Sequence, residues 1–198
     1  MLRYFIVYKP FQVLSQFSSV ENKKTLKDIF DVPPHVYPVG RLDYDSEGIL
    51  ILTNDTALNQ KLLHPSYAHE REYWVQVDGD INNNALQQLS KGICINVDGK
   101  SYHTKPCKAT RFEEQPAVPE RNPPIRYRKN IPTSWIKLIL TEGKNRQVRK
   151  MTAAAGFPTL RLIRYRIEKL TIDNMDAKHI IELSSTDIQK LLFGKLLS

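Results

Sequence analysis

The segment Gly40-Arg41-Leu42-Asp43-Tyr44-Asp45-Ser46-Glu47-Gly48-Ile49-Leu50-Ile51-Leu52-Thr53 runs from a polar turn into an unbroken apolar stretch. Residues 48–53 show no polar alternation, which predicts a strand buried on both faces. Gly, Asp and Ser are ordinary turn residues, and that accounts for Asp45, Ser46 and Gly48. Arg41-Leu42-Asp43 is different. Leu42 calls for burial and would pin its neighbours near the core. A carboxylate held there needs a cationic partner to stay ionised.

Outward from this segment the chain mixes strands and helices. Upstream, residues 3–8 are apolar and β-prone and end at Lys9-Pro10. Residues 22–30 place Leu26, Ile29 and Phe30 at helical spacing, and Pro33-Pro34 stops the helix. Residues 36–39 are a brief extended segment. Downstream, Asn54 or Asp55 caps a helix that ends at His64-Pro65. Strands are predicted at 70–77, 92–97, 135–140 and 159–167. Further helices are predicted at 82–89, 145–155 and 185–198. Residues 113–133 hold five prolines and read as a long basic loop. No regular βαβ alternation appears, so the fold class is α+β with a mainly antiparallel sheet. The whole of 1–198 is expected to form a single domain, with residues 114–133 as a basic, proline-rich loop.

The chain has 198 residues and a net charge of +8, from 29 Lys+Arg and 21 Asp+Glu. Its two cysteines, Cys94 and Cys107, exclude a disulfide scaffold and a cysteine-based zinc ribbon. His35, His64, His69, His103 and His179 show no metal-ligand spacing, so no metal is expected. No apolar run reaches the roughly 20 residues of a membrane span, and the start lacks a signal-peptide pattern. A reduced, cytoplasmic protein with no membrane partner is the expectation. The charge is uneven. Residues 121–166 hold twelve Lys/Arg and one acid, Glu142, giving 12 − 1 = +11 and leaving 8 − 11 = −3 elsewhere. Such a concentration is the footprint of a polyanion site. Most of these residues are Arg, whose planar fork suits phosphate.

The second informative segment is Glu142-Gly143-Lys144-Asn145-Arg146-Gln147-Val148-Arg149-Lys150-Met151. Gly143 permits a tight turn, and Asn145 is placed to cap a helix whose free N–H groups would face phosphate. Arg146 and Arg149 share a helix face. Alone, this is an ordinary exposed helix start. Taken with residues 40–54 and with Glu72-Tyr73-Trp74-Val75-Gln76-Val77, it resembles the motif set of the RsuA-type ribosomal RNA pseudouridine synthases. Lys9-Pro10 fits too. The loop Arg121-Asn122-Pro123-Pro124-Ile125-Arg126, with Ile131-Pro132-Thr133-Ser134-Trp135, is similar to the large-subunit synthase E branch. No room is seen for the small N-terminal S4 RNA-binding domain common in the family.

The resemblance implies the pseudouridine synthase fold, with a mixed sheet in two subdomains, flanking helices and a cleft between them. It implies isomerisation of a specific uridine to pseudouridine in large-subunit (23S-type) ribosomal RNA, without a cofactor. The partner would be ribosomal RNA or a preribosomal particle, and the protein a monomer. Asp43 takes the catalytic aspartate position, Arg149 the basic residue paired with it, and Tyr73 the active-site tyrosine. Tyr73 could stack on uracil and assist proton transfer. Val148 would complete an apolar pocket. Extrusion of the target base costs a few kcal/mol, and Arg41 is placed to fill the vacated stack or hold a phosphate. Lys144, Asn145, Arg146, Gln147, Lys150, Arg161 and Arg164 would contact the RNA, as would Arg126, Arg128 and Lys129 of the loop. Asp45 and Glu47 read as turn carboxylates.

Two other readings compete. A non-catalytic RNA-binding or ribosome-assembly protein on the same fold explains the basic block but not the joint match of aspartate, tyrosine and arginine. A two-carboxylate glycoside hydrolase using Asp43 with Asp45 or Glu47 conflicts with the basic surroundings.

Overall fold

A computed structural model describes residues 1–125, 132–173, 175–176 and 178–194. The chain opens with β1 (Tyr4–Lys9), the two-residue strands β2 (Val13–Leu14) and β3 (Lys24–Thr25), and β4 (Tyr37–Pro38). Next come β5 (Glu47–Thr53), α1 (Thr56–Leu63) and β6 (Arg71–Asp78). They are followed by α2 (Asn83–Lys91), the hairpin strands β7 (Cys94–Val97) and β8 (Lys100–His103), and β9 (Lys108–Arg111). Beyond the proline-rich loop lie β10 (Thr133–Leu140), α3 (Gln147–Ala154), β11 (Thr159–Ile167), β12 (Leu170–Thr171), β13 (Ile180–Leu183) and α4 (Ser185–Phe193).

One sheet organises the molecule, in the order β13-β1-β5-β11-β6-β10-β9, with β12 on β11 and β4 on β5. Its pairs are antiparallel except at β5 and β11, which run parallel where Glu47 meets Ile163 and Gly48 meets Arg164. Gly48 is required there. It holds φ +111, and a Cβ would run into the Arg164 backbone. The expected α+β sheet flanked by helices is what forms. Its two subdomains are two halves of one sheet, and the cleft opens over their junction.

Every residue of β5 is buried, as its lack of alternation predicts. Ile49 and Ile51 pack one way, with Tyr4, Ile6 and Tyr8 of β1, Leu58 and Leu62 of α1, and Ile188 and Leu192 of α4. Leu50 and Leu52 pack the other way, with Phe5, Val7, Leu26 and Phe30. The second half of the sheet buries Val75, Val77, Ile136 and Leu138 against Ala85 and Leu89 of α2 and Val148 and Met151 of α3. Each such side chain contributes about 1.5–3 kcal/mol, so the strands that carry the cleft are held from both faces.

Several expectations change. The helix predicted at 22–30 shrinks to one 3-10 turn, Leu26–Asp28, because Lys24 and Thr25 pair instead with Val13 and Leu14. Asp55, not Asn54, caps α1, accepting from the Leu58 N–H at 3.0 Å. The last helix is capped by Ser184 and closes at Gly194 in the left-handed region. Cys94 of β7 is exposed beside His103. No helix among the described residues is long and apolar enough to cross a membrane.

Candidate active site

The turn before β5 is pinned from beneath. Leu42 is buried as its type demands, and Ser15 holds it on both sides, accepting from its N–H at 3.0 Å and donating to its carbonyl at 2.8 Å. The Gln12 N–H reaches the Tyr44 carbonyl at 2.8 Å, and the Ser46 N–H reaches the Asp43 carbonyl at 3.0 Å. Asp43 therefore stands at a fixed position, with its side chain 36% exposed to the cleft.

Asp43, Asp45 and Glu47 alternate along the chain and meet different partners. Asp45 takes the guanidinium fork of Arg146 at 2.9 and 2.8 Å. Arg149 adds its Nε at 3.3 Å from the same carboxylate, and its Nη2 donates to the Asp45 carbonyl. Burial alone would raise the Asp45 carboxyl. The Arg146 hydrogen bonds and the charges of both arginines outweigh it and hold the group below its ordinary range. Asp43 is gripped less tightly, with Arg146 Nη1 3.8 Å from its Oδ2. The expected pairing of Arg149 with Asp43 is thus corrected. Arg149 makes its direct ion pair with Asp45 and feels the charge of Asp43 at longer range, and Arg146 is the cation within 4 Å of Asp43 among the described residues.

The third carboxylate lies deeper. Glu47 is buried and receives Arg161 Nε and Nη2 at 2.8 Å each, with the Tyr8 hydroxyl at 3.3 Å. Arg161 also donates to the Pro119 carbonyl at 2.6 Å, anchoring the root of the proline-rich loop. Arg121 lies over the Phe11 ring, 4.2 Å from its centroid. Lys9 is 0% exposed and donates at 2.8 Å to the carbonyls of Pro10 and Val13. Burial pushes its ammonium down to about 7, against the pull of Glu47, Asp45 and Asp43.

Across the cleft, Tyr73 of β6 and Arg164 of β11 face each other. Arg164 is buried, and its Nε donates to the Ile49 carbonyl at 2.9 Å. Its Nη2 has no hydrogen-bond partner among the described residues. The cleft is about 530 Å³, and Tyr73, Leu140, Val148 and Leu162 line its apolar side. Arg41, Lys144, Asn145 and Arg146 stand exposed on its rim.

The start of α3 also departs from expectation. Asn145 is exposed and does not cap it. Arg146 occupies the cap position at φ +54, with no side-chain cap bond. Gln147 is buried, accepting from the Lys144 N–H at 2.9 Å and donating to Glu142 at 2.7 Å. It ties the turn together at the wall of the cleft. Arg161 and Arg164 are likewise buried on β11; Arg161 is engaged by Glu47, while Arg164 lines the cleft from beneath. Val148 is buried at the cleft wall, and Lys150 is half-buried. Arg126, Arg128 and Lys129 lie outside the described residues. No group of three metal-ligating side chains gathers among the described residues. Sequence reasoning undervalued Asp45, Glu47 and Lys9. The available signal for Lys9 was its place at the end of the apolar run Tyr4-Phe5-Ile6-Val7-Tyr8.

The chain matches the family model for RNA pseudouridylate synthase over residues 3–154. It is 48% identical over 164 residues to ribosomal large subunit pseudouridine synthase E of Xanthomonas campestris, covering 82% of this chain and 85% of that one. It is 46% identical over 170 residues to the protein of the same name from Vibrio parahaemolyticus, covering 86% and 69%. A crystal structure of a pseudouridylate synthase superposes with a TM-score of 0.78 at 24% identity, covering 97% of this chain and 74% of that one. The sheet agrees with that fold, and the matched span contains the turn, Tyr73 and the start of α3. The chain therefore belongs to the RNA pseudouridylate synthase family, in its RsuA-type branch, and is an RNA-modifying isomerase.

Proposed function

We propose that this enzyme converts one uridine of large-subunit ribosomal RNA to pseudouridine, with Asp43 as the catalytic carboxylate. The relatives' names support the substrate class. The division of labour between neighbouring carboxylates supports the residue. Asp45 absorbs the fork of Arg146 and the contact of Arg149, while Asp43 stands in the cleft with one cation at 3.8 Å. That is the observation on which the reading rests. The group is oriented and charge-balanced, yet its oxygens are not locked in a fork.

The reaction breaks the bond from uracil N1 to ribose C1′, turns the base, and joins C5 to C1′. The hydrogen on C5 leaves and N1 gains one. A carboxylate serves as a nucleophile that attacks and later departs, or as a group that balances a cationic sugar. Tyr73 offers a flat face to the uracil and a hydroxyl for the proton on C5. Val148 and Leu162 supply the apolar side of the pocket. Arg149 acts through Asp45 as a positioning residue. Arg41, Lys144, Asn145 and Lys150 hold the RNA backbone, and Arg126, Arg128 and Lys129 add to that hold.

The test uses ribosomal RNA from cells lacking this enzyme, with pseudouridine mapped at nucleotide resolution. Wild type installs one new pseudouridine. Asp43→Asn keeps RNA affinity and gives no product. Near-normal turnover by Asp43→Asn overturns the assignment.

A further inference from the structure

Between α1 and β6 the chain makes a short excursion, residues 64–70, that no step above uses. It is braced from several sides. Arg71 donates to the Leu62 carbonyl at 2.8 Å and to the His69 carbonyl at 3.4 Å, closing the two ends on one guanidinium. Glu168 accepts from the Glu70 N–H at 2.9 Å and meets His69 Nδ1 at 2.8 Å. Inside the excursion, the Tyr67 N–H reaches the His64 carbonyl at 3.2 Å and the Ala68 N–H reaches the Pro65 carbonyl at 3.3 Å.

This rigid frame presents aromatic rings to solvent. Tyr67 is 55% exposed. Its ring stacks on buried His69, with centroids 5.9 Å apart and planes at 20°, and His69 packs in turn on Phe193 of α4. The His64 ring meets Tyr67 edge-on at 5.9 Å. Tyr67, His64 and Lys61 line a shallow depression of about 670 Å³. That depression shares Leu63, His64 and Pro65 with the active-site cleft, so only a ridge separates the two. A lone exposed tyrosine is unremarkable. A tyrosine stacked on the one buried ring of His69, beside a lysine whose ammonium lies 3.7 Å from the Phe193 ring centroid and one ridge from the reaction centre, has what an unpaired base requires. It offers a preordered flat face and a cation for the phosphate.

We propose that Tyr67 and His64 form a stacking subsite for an unpaired nucleobase next to the target uridine, with Lys61 facing its phosphate. This rests on the reading of the cleft as the uridine site. The probes are a short oligouridylate and an abasic ribose-phosphate strand of equal length, both fluorescently labelled. Wild type binds the oligouridylate more tightly than the abasic strand. Tyr67→Ala lowers that preference about tenfold, and Tyr67→Phe keeps it. Stacking carries no charge, so the salt dependence of binding is unchanged in Tyr67→Ala, whereas Lys61→Gln flattens it. The proposal falls if Tyr67→Ala keeps the wild-type preference, as it would were the patch a protein contact. It falls equally if both strands weaken alike. Wild type is assayed in parallel for pseudouridine formation on ribosomal RNA. Absence of product there overturns the function, while the oligonucleotide comparison still decides the subsite.

Discussion

Lys9 shows how one residue can report on the polar interior. It is sealed under the carboxylate-bearing turn, and its ammonium is pushed from 10.5 down to about 7 by burial. Between those values the unfolded chain holds the proton and the folded protein sheds it, so stability rises with pH across that window. The gain is at most about 1.4 kcal/mol per pH unit. Chemical denaturation of wild type and Lys9→Met between pH 7 and 9 is expected to show a difference that widens in favour of wild type as pH rises. A pH-independent difference would mean that Lys9 does not titrate there. Individual residues were unevenly legible. Leu42 could be placed because an apolar side chain in a polar turn must find the core, whereas Asp43 and Tyr73 were singled out by the motifs they share with the RsuA-type synthases. Arg161 and Arg164 could not. Charge alone does not tell which strand residues turn inward, and a buried arginine reads the same as an exposed one until Glu47 or the Ile49 carbonyl is seen beside it.

Among the elements, β5 and α3 do most to set the geometry of the cleft. Gly48 lets β5 approach β11 closely. Gly48→Ala is expected to destabilise the protein by about 2–4 kcal/mol through backbone strain and collision with Arg164, measured by urea unfolding. Arg146 holds a left-handed conformation at the head of α3. Arg146→Gly relieves that strain and Arg146→Ala keeps it, so the glycine variant is expected to be about 1 kcal/mol the more stable. Both lose the grip on Asp45 and should lose activity. Buried strands with continuous apolar runs were readable from sequence. The edge strand β13 was not, because Ile181 is exposed and four residues carry little pattern. Asn145 looked like a cap by type. The chain instead turns on Arg146, since Gln147 ties Lys144 from inside the helix.

For the whole molecule, the basic block is less free than its sequence suggests. Arg146 and Arg149 pair with Asp45, Arg161 with Glu47, Arg166 with Glu70 and Glu72, and Lys137 with Glu72. Acids from outside the block are thereby folded onto it. RNA affinity should track the remaining exposed cations. Arg41→Gln and Lys144→Gln are each expected to lower the salt slope of RNA binding by about 0.7–0.9, the share of one phosphate left unneutralised. Arg161→Gln, which strands a buried carboxylate, is expected to cost about 3–5 kcal/mol in thermal or urea unfolding. A salt slope unmoved by Arg41→Gln and Lys144→Gln together would place the RNA elsewhere.

The centre of the sheet also governs the order in which the protein can be made. β11 lies between β5 and β6, yet it is synthesised after both, and β13 closes over β1 later still. The span shared with the family model stops at residue 154, before β11 begins. A chain ending there leaves unpaired the edges of β5 and β6 that β11 joins, with only Leu52 and Thr53 of β5 covered by β4. Open strand edges invite mispairing, so the sheet is complete only once β11 has been made.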